Sequence, residues 1–104
     1  MIGGGSSASS AARSAPRVHR DPDDTDHKLR DLVIHMAKGL VDHPDDVTCE
    51  ILSAGDDGVL ELSTHQDDMG HVIGREGRTA NALRLVLGAA SSRMDRRVTL
   101  EITD

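Results

Sequence analysis

The chain contains no Phe, Tyr or Trp, and that absence excludes two things at once. Any core must be packed from aliphatic side chains, and the aromatic platforms on which RRM modules and many OB folds stack bases are ruled out. The single cysteine, Cys49, excludes an internal disulfide framework and fits a reducing compartment as a buried, inert thiol. No apolar run is long enough to cross a bilayer, so no membrane association is expected. The first residues lack the apolar stretch of a secretory signal, and Ile2 stands where N-myristoylation would require glycine. These absences lead to a cytoplasmic expectation.

Catalytic patterns are missing too. No Ser or Cys sits in a nucleophile elbow or beside an evident base. There is neither a Gly-x-Gly-x-x-Gly fingerprint nor the Gly-Lys-Ser/Thr of a P-loop. The 6 histidines form no i,i+4 pair and no cluster with cysteine, so they read as scattered surface residues with no metal bound. The pairs Asp23-Asp24, Asp45-Asp46, Asp56-Asp57 and Asp67-Asp68 fall at expected turns and helix starts, where aspartate is locally favoured. The expectation is a protein that is not an enzyme and uses no cofactor.

What is present is an uneven distribution of charge. The formal net charge of −6 argues against general attraction to nucleic acid. Residues 1 to 69 carry 6 Lys/Arg against 14 Asp/Glu, whereas residues 70 to 97 carry 6 against 2. Residues 1–25, rich in Gly, Ser, Ala, Arg and Pro, hold too few large apolar residues to offset their own ordering entropy, and are expected to form a disordered N-terminal tail. Residues 26–104 form the folding body.

Within the body, Leu29, Leu32, Val33, Met36 and Leu40 recur at helical spacing, with Thr25 or Asp26 available as N-cap. This helix is expected to run from Asp26 to Asp42 and to stop before Pro44. Val47, Cys49 and Ile51 alternate with polar residues, and Val59 to Ser63 is a second strand-like run. Gly55-Asp56-Asp57-Gly58 supplies the turn between them. Gln66 to Ile73 fits a short helix capped by Asp67 or Asp68 and ended by Gly74. A third helix from Arg78 to Met94 places Leu83, Val86, Leu87, Ala90 and Met94 on one face, and Val98, Leu100 and Ile102 alternate in a last strand. The order α-β-β-α-α-β predicts a two-layer α+β domain, a three-stranded sheet covered on one face by helices.

The chemistry concentrates at Val72-Ile73-Gly74-Arg75-Glu76-Gly77-Arg78. Arginine at a helix N-terminus opposes the macrodipole at a cost of roughly 0.3 to 1 kcal/mol per charge, so something negative is expected to offset it. Helix-start amides, glycines that admit a ligand to the backbone and two guanidiniums converge on phosphate. Arg93, Arg96 and Arg97 lie at a helix C-terminus, where cations suit the dipole, so a solvated structural role stands at least level with RNA contact.

Leu40-Val41-Asp42-His43-Pro44, Asp68-Met69-Gly70 and Val72-Ile73-Gly74-x-x-Gly77-Arg78-Thr79-Ala80 together resemble the small bacterial single-KH proteins of the KhpA type, over about Leu29 to Thr103. The resemblance implies the type II KH fold and single-stranded RNA binding, the loop gripping the backbone of about four nucleotides while bases lie across an aliphatic groove. Carried over by position, Gly74, Arg75, Glu76 and Gly77 are the clamp, Ile73 borders the groove, Arg78 faces phosphate, and Asn81 and Arg84 are secondary contacts. It further implies an RNA chaperone or post-transcriptional regulator linked to cell elongation and envelope synthesis. Its implied partner is a second KH protein of the KhpB (Jag) type, as a heterodimer, or a second copy, as a homodimer. His71 stands where the family commonly has Lys, and Glu76 where it has a neutral or basic residue. Weaker affinity with an unchanged binding mode is therefore expected.

A different class of function is a protein-interaction module in which the clamp is subordinate. Ile34, Ala37 and Val41 extend the apolar arc of the first helix, and Ala82, Leu85 and Ala89 lie off the expected core face of the third. Such a surplus face can bury itself against another subunit.

Overall fold

Two aspartates start the first helix. Asp23 lies just outside it with extended backbone and accepts from the Asp26 N–H at 3.0 Å, while the Asp26 carboxylate accepts from the Asp23 N–H at 2.8 Å. This reciprocal box satisfies two donors that a helix start leaves without partners. In the computed structural model, which describes residues 21–104, α1 therefore spans Asp24–Lys38, and its cap is Asp23 rather than Thr25 or Asp26. Residues 1–20 of the expected tail lie outside the described residues; Asp23 to Thr25 belong to the cap and first turn of α1.

α1 also ends before the expected Asp42. Gly39 and Leu40 turn off the helix through N–H bonds to Met36 and Ala37 carbonyls, 3.2 and 2.9 Å. The backbone N–H groups of Asp42 and His43 are then taken by the carboxylate of Asp68, far along the chain. A short 3-10 turn, Pro44–Asp46, leads into β1 (Thr48–Ser53), which pairs antiparallel with β2 (Asp57–Ser63). A 3-10 turn at Gln66–Asp68 runs into α2 (Met69–Ile73), and α3 (Arg78–Arg93) returns the chain to β3 (Arg97–Thr103), parallel to β2. The strand order is β1-β2-β3, so β3 is an edge.

One face of the sheet meets α1 and α3. Leu29, Val33 and Ala37 of α1, Cys49 of β1, Leu60 and Leu62 of β2, Leu83 and Leu87 of α3 and Leu100 of β3 form the core. Burial pushes the Cys49 thiol up to about 11, so it stays protonated and inert. The buried stripe of α3 is Ala80, Leu83, Leu87 and Ser91. It differs from the expected face: Val86 and Met94 are 45 % and 37 % exposed. The helix is rotated so that Ala80 and Ser91 join Leu83 and Leu87 on the inward face. Ser91 can be buried because its hydroxyl donates to the Gly88 carbonyl, 3.1 Å. Much of the surplus arc on α1 is absorbed, since Ala37 is in the core and Ile34 and Val41 pack against it. On α3, Ala82, Leu85 and Ala89 remain exposed.

The N-terminus of α1 is pinned to the far end of the sheet. Asp26, 4 % exposed, accepts from Gly55 N at 3.2 Å and from Arg96 Nη1 at 2.8 Å. Arg96 also bonds Asp23, and that contact holds the Asp23 carboxyl well below the usual carboxylate range. Arg96 thus has a structural role, in a nearly buried bridge rather than a solvated one.

On the opposite sheet face the register places Glu50, Glu61 and Glu101 directly across from one another. Like charges facing across strands are destabilising. Glu61, flanked on both sides, carries the largest repulsion. Glu61→Gln should raise the melting temperature by about 2–4 °C, from ~0.5 kcal/mol of relieved repulsion in a domain of this size. Thermal unfolding followed by circular dichroism checks this; an unchanged or lower value would mean that solvent already screens the row.

Candidate nucleic-acid interface

Gly74 ends α2 with φ 78° and ψ 170°, a region of backbone space open essentially to glycine alone. A Cβ there would lie 2.7 Å from both the backbone nitrogen and the Cβ of Thr79. The loop is therefore pressed directly onto the first turn of α3. Arg75–Gly77 forms a 3-10 turn in which Glu76 has φ 56° and Gly77 φ 74°. At Gly77, by contrast, a Cβ would meet nothing within 4 Å. The two glycines differ in purpose: Gly74 permits close packing, and Gly77 permits a left-handed turn under open space.

No side chain caps the start of α3. Its first-turn N–H groups and the positive end of its dipole stand beside the exposed side chains of Arg75 and Arg78. Glu76 Oε1 lies 4.0 Å from Arg78 Nη2, with both side chains about three-quarters or more exposed. At that distance in water the pair contributes little, and Arg75 has no counter-ion among the described residues. Ile73 is half-buried at the mouth of this loop over the fully buried Val72. The arrangement sets uncapped helix amides and two exposed guanidiniums beside an aliphatic margin.

The structure gathers most of the expected site residues. Ile73 to Arg78 are contiguous on the loop, and Asn81 follows, exposed, on the first turn of α3. Arg84 is set apart: its Nε–H donates to the Leu100 carbonyl, 3.3 Å, which ties it to the edge strand β3. The outer edge of β3 has no neighbouring strand to pair its outward polar groups.

Asp68, expected as a helix cap, does something else. It makes no side-chain cap bond and has no exposure. Its carboxylate accepts from Asp42 N at 3.1 Å, His43 N at 3.0 Å and His43 Nδ1 at 3.0 Å. Burial opposes its ionisation, but these donors outweigh it and hold the group below the usual carboxylate range. The same bond raises His43 above the ordinary imidazole value. The His43 ring stacks on that of His65, with centroids 4.1 Å apart, and His71 Nε2 lies 3.4 Å from Asp42. Three histidines read as scattered thus converge around Asp68. The spacing of His65, Asp68 and His71 is local, but no short-range signal could have brought in Asp42 and His43, which lie 26 and 25 positions from Asp68. The consequence for the loop is mechanical: Asp68 anchors the start of α2, whose other end is Gly74.

A mixed three-stranded sheet covered on one face by helices, with a Gly-x-x-Gly loop joining two consecutive helices, defines a type II KH domain. The chain belongs to the family described as KhpA/KhpB, KH domain, whose match covers residues 30–102. It is 54 % identical over 79 residues to the RNA-binding protein KhpA of Halalkalibacterium halodurans, covering 73 % of this chain and 100 % of that protein. It is 42 % identical over 80 residues to the RNA-binding protein KhpA of Bacillus subtilis, covering 77 % of this chain and 99 % of that protein. To the protein of the same name from Streptomyces coelicolor it is 49 % identical over 65 residues, covering 62 % and 82 % of the respective chains. No solved structure matches. No helix among the described residues is long and apolar enough to cross a membrane.

Proposed function

We propose that this chain binds single-stranded RNA, with Gly74–Gly77 gripping the sugar–phosphate backbone and bases lying from the aliphatic Ile73 along α3. The observation that carries this reading is the uncapped start of α3 beside Arg75 and Arg78, reached over two glycines. The names of the relatives support it. Arg75 supplies the main ionic contact, Arg78 a second one partly offset by Glu76, and Asn81 and Arg84 lie along the path of the bases. One clamp reads few bases, so specificity is low. The protein acts in the cytoplasm, without catalysis, as an RNA chaperone or post-transcriptional regulator in cell elongation and envelope synthesis, paired with a KhpB-type KH protein.

Fluorescence anisotropy of labelled single-stranded RNA tests the clamp. Arg75→Asp should weaken binding about tenfold, the loss of one charge-assisted contact, with unchanged circular dichroism. Equal binding by wild type and variant would transfer the role away from the loop. Glu76→Gln should tighten binding about threefold by removing one exposed negative charge. No gain in affinity would mean that Glu76 points clear of the RNA path.

One observation favours a second reading, an interaction module built on α3. Leu85 is 76 % exposed, and Ala82 and Ala89 lie exposed on the same helix. A dimer formed through this face would add a second clamp at high effective concentration. Sedimentation velocity decides it: a monomer at the highest accessible concentration removes self-association and leaves the single-clamp reading.

A further inference from the structure

Three histidines and three aspartates meet at the junction of the α1 exit and α2. Two sets of donor atoms there lie within 4.8 Å of one another: His43, His65 and Asp67, and Asp42, Asp68 and His71. The first set cannot converge on an ion. The His43 and His65 rings are stacked with an interplanar angle of 13°, so their in-plane lone pairs run parallel instead of meeting. Each Nδ1 is also already engaged, that of His43 with Asp68 and that of His65 as acceptor from Asp67 N at 3.0 Å.

The second set has what the first lacks. The Asp68 carboxylate has no exposure and is held in place by the Asp42 and His43 N–H groups and by the His43 ring, so one ligand is oriented before any ion arrives. Supporting bonds of this kind are what fix metal ligands in place. His71 Nε2 lies 3.4 Å from Asp42 Oδ2 and 4.0 Å from Asp68 Oδ1. Ligands about 2.0–2.1 Å from a tetrahedral ion stand roughly 3.3 Å apart, so one of the three edges is already at that length, a second needs to close by about 0.7 Å, and the third, Asp42 to Asp68, lies within 4.8 Å. The Asp42 and His71 side chains are 78 % and 51 % exposed and free to make that adjustment. A divalent ion serves all three groups together.

We propose that Asp42, Asp68 and His71 form a binding site for a divalent transition metal ion of the zinc class. One imidazole nitrogen and two carboxylate oxygens suit Zn²⁺ better than Mg²⁺, which prefers oxygen ligands in octahedral geometry. A water completes the fourth position on the exposed side. The ion binds the segment after α1 to α2 and so stiffens the helix that delivers Ile73 and Gly74 to the loop. This site is independent of the RNA reading.

The test is titration of the full chain with Zn²⁺ by calorimetry and by imidazole nitrogen NMR, for wild type, His71→Lys, Asp42→Asn and the control His35→Ala on α1. Circular dichroism confirms the fold of each. The expected result is one ion per chain, a shift of the His71 Nε2 resonance, at least tenfold weaker binding in His71→Lys and Asp42→Asn, and no change in His35→Ala. Asp42→Asn keeps the backbone N–H that holds Asp68, so its loss reads ligation and not folding. The proposal is overturned if wild type takes up no ion at roughly 100 µM Zn²⁺. It is equally overturned if His71→Lys binds as wild type does, or if only the His43 and His65 resonances move.

Discussion

Gly74→Ala should lose RNA affinity by about a hundredfold, equivalent to two charge-assisted phosphate contacts, and should also melt earlier. The added Cβ would stand 2.3 Å from Thr79 Oγ1 and 2.7 Å from the Thr79 backbone nitrogen. A side-chain oxygen can rotate away, but a helix backbone cannot. At φ 78° and ψ 170° the alanine is strained even without that contact, at a cost of about 1–3 kcal/mol. The loop must leave α3, and Arg75 and the α3 amides then no longer face one ligand. Gly77→Asn provides the comparison, since its φ of 74° is tolerable for asparagine and nothing lies within 4 Å of the new Cβ. It should keep the melting temperature nearly unchanged. Anisotropy and thermal melts on both proteins check the pair. RNA binding by a folded Gly74→Ala protein at wild-type strength would show that loop geometry is irrelevant to the ligand.

Arg96→Ala should lower stability by about 3 kcal/mol, and the melting temperature by roughly 12–24 °C, while leaving the residues of the glycine loop unchanged. Arg96 bonds Asp26, whose side chain is 5 % exposed, and removing the guanidinium strands a buried carboxylate with only the N–H groups of Gly55 and Asp23. The same residue joins three parts of the chain: the cap of α1, the β1–β2 turn through Asp26, and the α3–β3 connection in which it lies. Urea denaturation at constant protein concentration measures the effect. A loss below about 1 kcal/mol would place Arg96 among ordinary surface ion pairs.

Much of the fold was legible because its signals are local. Alternation at Cys49 and Ile51, the Gly55 to Gly58 turn and helical spacing from Leu29 onward identified the elements in order. Gly74 announced the loop because a glycine after an apolar helical run marks a C-terminus. The helix faces were harder to read. On α3 two apolar stripes compete, and only docking onto α2 and the sheet selects Ala80, Leu83, Leu87 and Ser91 over Val86 and Met94. The start of α1 was misplaced because an Asp-x-x-Asp pair served as the capping box in place of the commoner Ser/Thr-x-x-Glu form.

The sequence by itself determined the order α-β-β-α-α-β, the aliphatic character of the core and the position of the glycine loop with its two arginines. Those properties depend on near neighbours and on the backbone freedom of single residues. The tertiary structure decided which carboxylates became structural. Asp68 reaches Asp42 across 26 positions, and Arg96 reaches Asp26 across 70. In the sequence these are ordinary aspartates at turns, indistinguishable from Asp45 or Asp67. Only folding removes water from them, and once water is gone each must find donors at whatever chain distance packing brings them. That is why His43 and Asp42 are held beside α2 by a carboxylate some 25 positions away.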